Sequence, residues 1–171
     1  MTYEVRAVSE ADWEVLRSVR LQALAEAPTA FATTLEEASA FPDDRWRERA
    51  RGSEVSQLFL ASLDGAAVGM AGLYEEEGVT QLISVWVVPD QRGKGVARAL
   101  VTAVMSFAAA SGRGRMTLWV TEGNSAARRL YERLGFRATG RHQPLPSRAA
   151  VEEQEMEILL AQSVIASQGG A

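Results

Sequence analysis

Residues 85–98, Val-Trp-Val-Val-Pro-Asp-Gln-Arg-Gly-Lys-Gly-Val-Ala-Arg, combine the features of an anion site. An apolar run ends at Pro89, which keeps the residue before it extended. Gly93 and Gly95 then permit a tight turn, and a long helical pattern begins at once. A helix start gathers unpaired backbone amides and the positive end of the helix dipole at one point. Gly95 and Ala97 are small where a phosphate must approach the backbone, and Arg92, Lys94 and Arg98 add positive charge. A surface turn with solvated basic side chains would use the same residues. Two other phosphate-binding patterns do not fit. No glycine precedes a Gly-Lys-Ser/Thr at the P-loop spacing, and Arg98 stands where the third glycine of a dinucleotide fingerprint belongs.

Composition removes several other chemistries. The chain has no cysteine, so a disulfide, a thiol nucleophile and a cysteine-borne acyl-enzyme are all excluded. His142 is the only histidine, so neither a Ser-His-Asp triad nor a histidine-rich metal site can be assembled, and no metal is expected. A net charge of −4 without a basic tract argues against duplex nucleic acid as a partner. No apolar run reaches the ~18 residues of a membrane span, and residues 1–10 lack a signal-peptide core. The expected location is therefore cytoplasmic, with no membrane partner. At 171 residues and 47% hydrophobic, the chain can bury one core. A single domain is expected over residues 1–162, followed by a frayed polar tail at 163–171.

The elements that must position the loop follow from periodicity and turn chemistry. Residues 3–8 suit a first strand, and Ser9-Glu10-Ala11-Asp12 resembles a capping box. Val15, Leu16, Val19 and Ala23 give the next helix one apolar face, which must end before Pro28. Residues 31–37 have no clear period, and a short helix is expected over 42–51 with Pro42 in its first turn. Strands at 58–63, 67–74 and 80–88, separated by Asp64-Gly65 and by Glu75-Glu76-Glu77-Gly78, form an antiparallel meander. A helix over 92–110, a strand at 116–121, a helix over 125–134 stopped by Gly135, and strands at 136–141 and 155–160 complete the order. The fold class is α/β, a mixed, mostly antiparallel central sheet with helices on both faces.

Two of these segments together resemble the Gcn5-related N-acetyltransferase family. Its central signature, Gln/Arg-x-x-Gly-x-Gly/Ala after a strand ending in proline, is similar to Arg92-Gly-Lys-Gly95-Val-Ala97. A second segment, Val120 with Asn124, then Tyr131 and Gly135-Phe136, keeps the family's spacing. The resemblance covers residues 82–137, with a weaker likeness at 30–37, and implies an acyl-CoA N-acyltransferase fold. It implies acetyl-CoA as co-substrate, held by the backbone of Val85 and Val87 along its pantetheine arm. Amides of Arg92, Gly93, Lys94, Gly95, Val96, Ala97 and Arg98 would cradle the pyrophosphate. Asn124 would bond the arm and also cap its helix, and Tyr131 would protonate the departing thiolate. Tyr131 also shares a helix face with Ala127, Leu130 and Leu134, so a core role is open.

The resemblance further implies direct attack of a primary amine on the thioester in a ternary complex. The usual positions of a general base carry Gln81, Ser84 and Trp119, and none of these removes a proton, so the base is left unassigned. The expected acceptor loop brings Phe31, Glu36 and Glu37, with Asp43 and Asp44 following, which suggests a small cationic or amphipathic amine. A catalytically silent acyl-CoA sensor is the second reading, and pairing into a homodimer is left open.

Overall fold

The computed structural model describes residues 2–160, so the expected tail at 163–171 lies outside the described residues. The first strand, β1 (Glu4–Ala7), leads into the capping box, where Ser9 N and Oγ both donate to Asp12 Oδ2 (2.8 and 3.0 Å). Arg6 grips the same carboxylate with both terminal nitrogens (2.7 and 2.8 Å), which holds the Asp12 carboxyl well below the usual range. After one 3-10 turn, α1 (Trp13–Glu26) runs to its end before Pro28. Its inward stripe is Leu16, Val19, Arg20, Ala23 and Leu24.

The aperiodic stretch resolves into a short helix, α2 (Leu35–Ser39), started by a second capping box. Thr34 N donates to Glu37 Oε2 (2.9 Å) and Glu37 N donates to Thr34 Oγ1 (3.2 Å). In α3 (Asp43–Arg51), Pro42 is the cap and not a first-turn residue. The meander then forms from β2 (Ser56–Leu63), β3 (Ala66–Glu76) and β4 (Val79–Val87). Its second turn is shorter than expected. Glu75 and Glu76 stay in β3, paired with Thr80 and Val79, and Arg113 Nε donates to Glu75 Oε2 (2.9 Å).

The next helix starts four residues later than the periodicity suggests, as α4 (Val96–Ala110). Gly93 and Gly95 have φ of +74° and +91°, which no right-handed helix accepts. β5 (Arg115–Thr121) and α5 (Ser125–Leu134) follow, and Gly135 (φ +104°) stops the latter as expected. The two closing strands are far longer than expected: β6 (Arg137–Leu145) and β7 (Arg148–Leu159) make one hairpin.

The seven strands lie in the order β1-β2-β3-β4-β5-β7-β6. All neighbours are antiparallel except β4 and β5. Two cores result. α4 and α5 cover one face with Val96, Leu100, Val104 and Tyr131 over Leu73, Leu82, Val87 and Leu118. α1 to α3 cover the opposite face with Leu16, Leu24 and Trp46 over Leu58, Leu60, Met70 and Trp86. Among the described residues, no helix is long and apolar enough to cross a membrane.

Candidate active site

β4 and β5 are joined by a single pair, Gln81 with Thr117. Beyond that pair β4 is bulged against β3. Met70 and Gly72 of β3 face Trp86 and Ile83, so β4 carries one residue too many, and Ser84 takes φ +59°. A non-glycine residue there costs about 1–3 kcal/mol, a strain typical of functional sites. Beyond the bulge the two parallel strands have no ladder between them. Val85 and Val87, the residues expected to meet an extended arm, lie on that unpaired stretch.

The glycine turn stands at the open end. A Cβ on Gly93 or on Gly95 would meet nothing within 4 Å, so space is free directly beside the backbone. The first amides of α4, on Val96, Ala97 and Arg98, have no carbonyl one turn earlier to accept from them. Lys94 and Arg98 are exposed beside them. These features fit a pyrophosphate.

Arg92 differs from the rest of the expected cradle because the fold itself uses it. Its amide donates to Pro89 O (3.3 Å) and its Nε to Val87 O (3.0 Å). Both terminal nitrogens grip the Glu26 carboxylate (3.2 and 2.6 Å), which also accepts from Trp86 Nε1 (2.9 Å). Arg92 and Glu26 therefore tie the end of β4 to the end of α1. These bonds, the Arg92 one first, hold the Glu26 carboxyl below its usual range.

A depressed carboxyl adds stability above its ordinary pKa and loses it as pH falls through the folded value. Glu26→Ala also strands the buried Trp86 N–H, at about 1–3 kcal/mol. At ~2–4 °C per kcal/mol, we expect the melting temperature at pH 7 to fall by several degrees. The gap from wild type should narrow below pH 4, as melting curves across pH would show.

Asn124 caps α5, its Oδ1 accepting from Ala127 N (3.3 Å), which leaves the side-chain NH2 for a ligand. Tyr131 is 7% exposed and packs edge-on against Phe136, with ring centres 5.8 Å apart. Burial pushes its phenol well above the usual pKa, so it is held protonated. The residue is thus core by packing, with its hydroxyl kept as an O–H donor. Asn124, Tyr131 and the start of α4 all belong to the α4–α5 side of the sheet.

On the opposite face the expected acceptor residues separate. Phe31 is buried, and its carbonyl accepts from Ser147 Oγ in the β6–β7 turn (2.7 Å). Glu36 and Glu37 are exposed on the first turn of α2, and Glu37 is committed to the capping box. The charge turned inward is of the other sign: Arg20 of α1 is 6% exposed, and its Nη1 donates to Ser84 Oγ (3.0 Å). Arginine at 20 continues the Leu16, Val19, Ala23, Leu24 stripe, so its place in an apolar row was the available signal.

A second group escaped the sequence reading. Thr121 of β5 faces Glu153 of β7, and Trp119 faces Glu155, so these four share the face away from α5. Glu155 is engaged by Thr139 Oγ1 (2.9 Å) and Arg141 Nη1 (3.1 Å). Among the described residues, the Glu153 carboxylate accepts from Gln143 Nε2 alone (2.7 Å), and burial raises its pKa. The signal was Glu153 and Glu155 at alternating positions inside an apparent charge run.

The sheet is parted between its parallel neighbours, and the unpaired amides at the mouth leave room for a long, anionic ligand. The model of the acetyltransferase (GNAT) family matches residues 21–136, and the chain belongs to that family. It is 39% identical to human N-acetylaspartate synthetase over 87 residues, half of this chain and 29% of that protein. It is 32% identical to the mycothiol acetyltransferase of Thermobispora bispora over 132 residues, 73% of this chain and 43% of that one. The chain thus spans less than half the length of these relatives. A GNAT-family acetyltransferase of Streptococcus pneumoniae superposes with a TM-score of 0.79 at 19% identity, covering 92% of this chain and 99% of that one. The yncA protein of Salmonella typhimurium, solved with acetyl-CoA, gives 0.75 at 21% identity, covering 94% and 95%.

Proposed function

We propose that the protein transfers the acetyl group of acetyl-CoA to a small primary amine by direct attack in a ternary complex. The observation that carries this reading is the break between β4 and β5, with the glycine turn at its mouth and Tyr131 on its α5 side. The amine nitrogen bonds to the thioester carbon, the carbon–sulfur bond breaks, and sulfur leaves with the electron pair. One proton leaves the amine and one reaches the sulfur. Amides from Gly93 to Arg98 hold the pyrophosphate, and the backbone of Val85 and Val87 holds the arm and polarises the carbonyl. Asn124 steadies the arm, and Tyr131 supplies the proton to sulfur. Relatives named for N-acetylaspartate, mycothiol and streptothricin support a small-molecule acceptor.

Glu153 takes the role for which no base was legible. It is buried on the acceptor face beside the open end of β5, with one carboxylate oxygen uncommitted. A carboxyl raised towards neutrality is the better base for an ammonium. We expect Glu153→Gln to slow transfer by about 10²–10⁴-fold at pH 7, with the gap closing at high pH as free amine accumulates. A raised folded pKa stabilises only below the ordinary carboxyl value and is lost as pH rises through the folded one. The same variant should therefore melt no lower than wild type at pH 8. Rate profiles and melting curves from pH 5 to 10 check both statements.

The reading as a whole is tested by thiol release from acetyl-CoA across a panel of amines. Thiol released in step with acetylated amine supports it. Coenzyme A binding without turnover on any amine would instead make the protein a silent sensor.

A further inference from the structure

Arg20 is a buried cation without an anion. Among the described residues, Nη1 alone of its guanidinium nitrogens reaches a protein acceptor, Ser84 Oγ at 3.0 Å, while Nε is buried with no partner. Among the described residues, no carboxylate lies within ion-pair distance of Arg20, and the ring of Phe31 sits under the guanidinium at 4.6 Å. Burial, and next the field of Arg49, lower its pKa to about 10. Arg49 is itself partly buried, stacks 5.8 Å over Trp46, and likewise has no acid partner among the described residues. Two arginines that repel each other out of water are a poor structural device, since an unpaired buried charge is among the costliest features a fold carries. The arrangement becomes favourable when an anion arrives.

The position fixes where that anion belongs. Arg20 meets β4 at the bulge, on the face opposite α4, α5 and Tyr131. In the function proposed above, the donor arrives from the α4–α5 side and the acceptor from this one. Ser84 precedes Val85 and Val87 by one and three residues, so Arg20 stands within about 10 Å of the segment that holds the acetyl group. The unpaired Nε–Nη2 edge is the fork that matches a carboxylate with two parallel hydrogen bonds.

We infer that the acceptor is a small amine that also bears a carboxylate, an amino acid or close analogue, with the carboxylate on Arg20 and the amine at the thioester. This rests on the acetyltransferase reading and reverses the cationic acceptor suggested by Glu36 and Glu37. Arg49 adds attraction without contact, and Ser84 holds Nη1 so that the fork stays aimed.

The test uses the full chain with coenzyme A present. Melting temperature and thiol release are measured with the proteinogenic amino acids, their carboxamides and the matching decarboxylated amines. At least one amino acid should raise the melting temperature beyond coenzyme A alone, and its kcat/KM should exceed that of its carboxamide by ~100-fold or more. Arg20→Lys keeps the charge but loses the fork. It should retain the coenzyme A increment, lose the amino acid increment and raise KM more than it lowers kcat. Arg49→Gln, which spares the β4 contact, should weaken the same preference by a smaller factor. Equal response to acids and carboxamides across the panel overturns the inference, as does a preference that survives Arg20→Lys. Loss of the coenzyme A increment in the wild type would instead strike the acetyltransferase reading.

Discussion

Tyr131→Phe should lower acetyl transfer by about 10²–10⁴ when proton delivery limits turnover, while coenzyme A still binds. The substitution removes one oxygen and leaves the ring against Phe136, 5.8 Å between centres, so stability should change little. Burial holds the phenol protonated far beyond neutral pH. The loss should therefore persist across pH 6–9 and not appear as one limb of a bell. Aryl thioesters, whose thiolates leave without help, should partly restore the rate. Full activity of Tyr131→Phe with acetyl-CoA would leave Tyr131 a core residue only.

Gly95→Glu should abolish stabilisation by coenzyme A. A ligand at 100 times its Kd adds about 2.7 kcal/mol, and at ~2–4 °C per kcal/mol the wild type should gain roughly 5–11 °C. At Gly95 the added carboxylate would occupy the open space beside the first amides of α4 with charge of the phosphate's own sign. Gly95 also sits at φ +91°, so any side chain there adds backbone strain. Gly95→Ala separates the two effects. It should melt lower, as Gly95→Glu does, yet keep part of the coenzyme A increment. An unchanged wild-type curve at saturating coenzyme A would dismiss the phosphate cradle.

The backbone frame of the proposed donor site was legible because its signals are local. Pro89, Gly93 and Gly95 dictate backbone shape within a few residues, and Asn124, Tyr131 and Gly135 lie on one short helix or its cap. The acceptor half depends on contacts between distant segments. Nothing near Arg20 announces Ser84, 64 positions away, and Ser147 reaches Phe31 across 116. Charged residues gave little guidance to the acceptor face. Glu36 and Glu37 suggested a binding surface, but Glu37 serves the cap of its own helix. Glu153 drew no notice and Glu155 only opened the expected strand at 155–160, but the long β6–β7 hairpin buries both. That hairpin was itself hidden, since Gly140 and Pro144 interrupt one arm and polar residues fill both.

The single pair that links β4 to β5 has a consequence for how the molecule breathes. Apart from that pair, β1–β4 and β5-β7-β6 are two ladders joined by a shared core, and without a ligand we expect them to open separately. An acyl donor lying in the break would act as the absent strand and make the two ladders exchange protons as one. Amide hydrogen exchange should then slow along Leu82 to Val87 and Leu118 to Thr121 together, and by more than it slows at the β1–β2 edge.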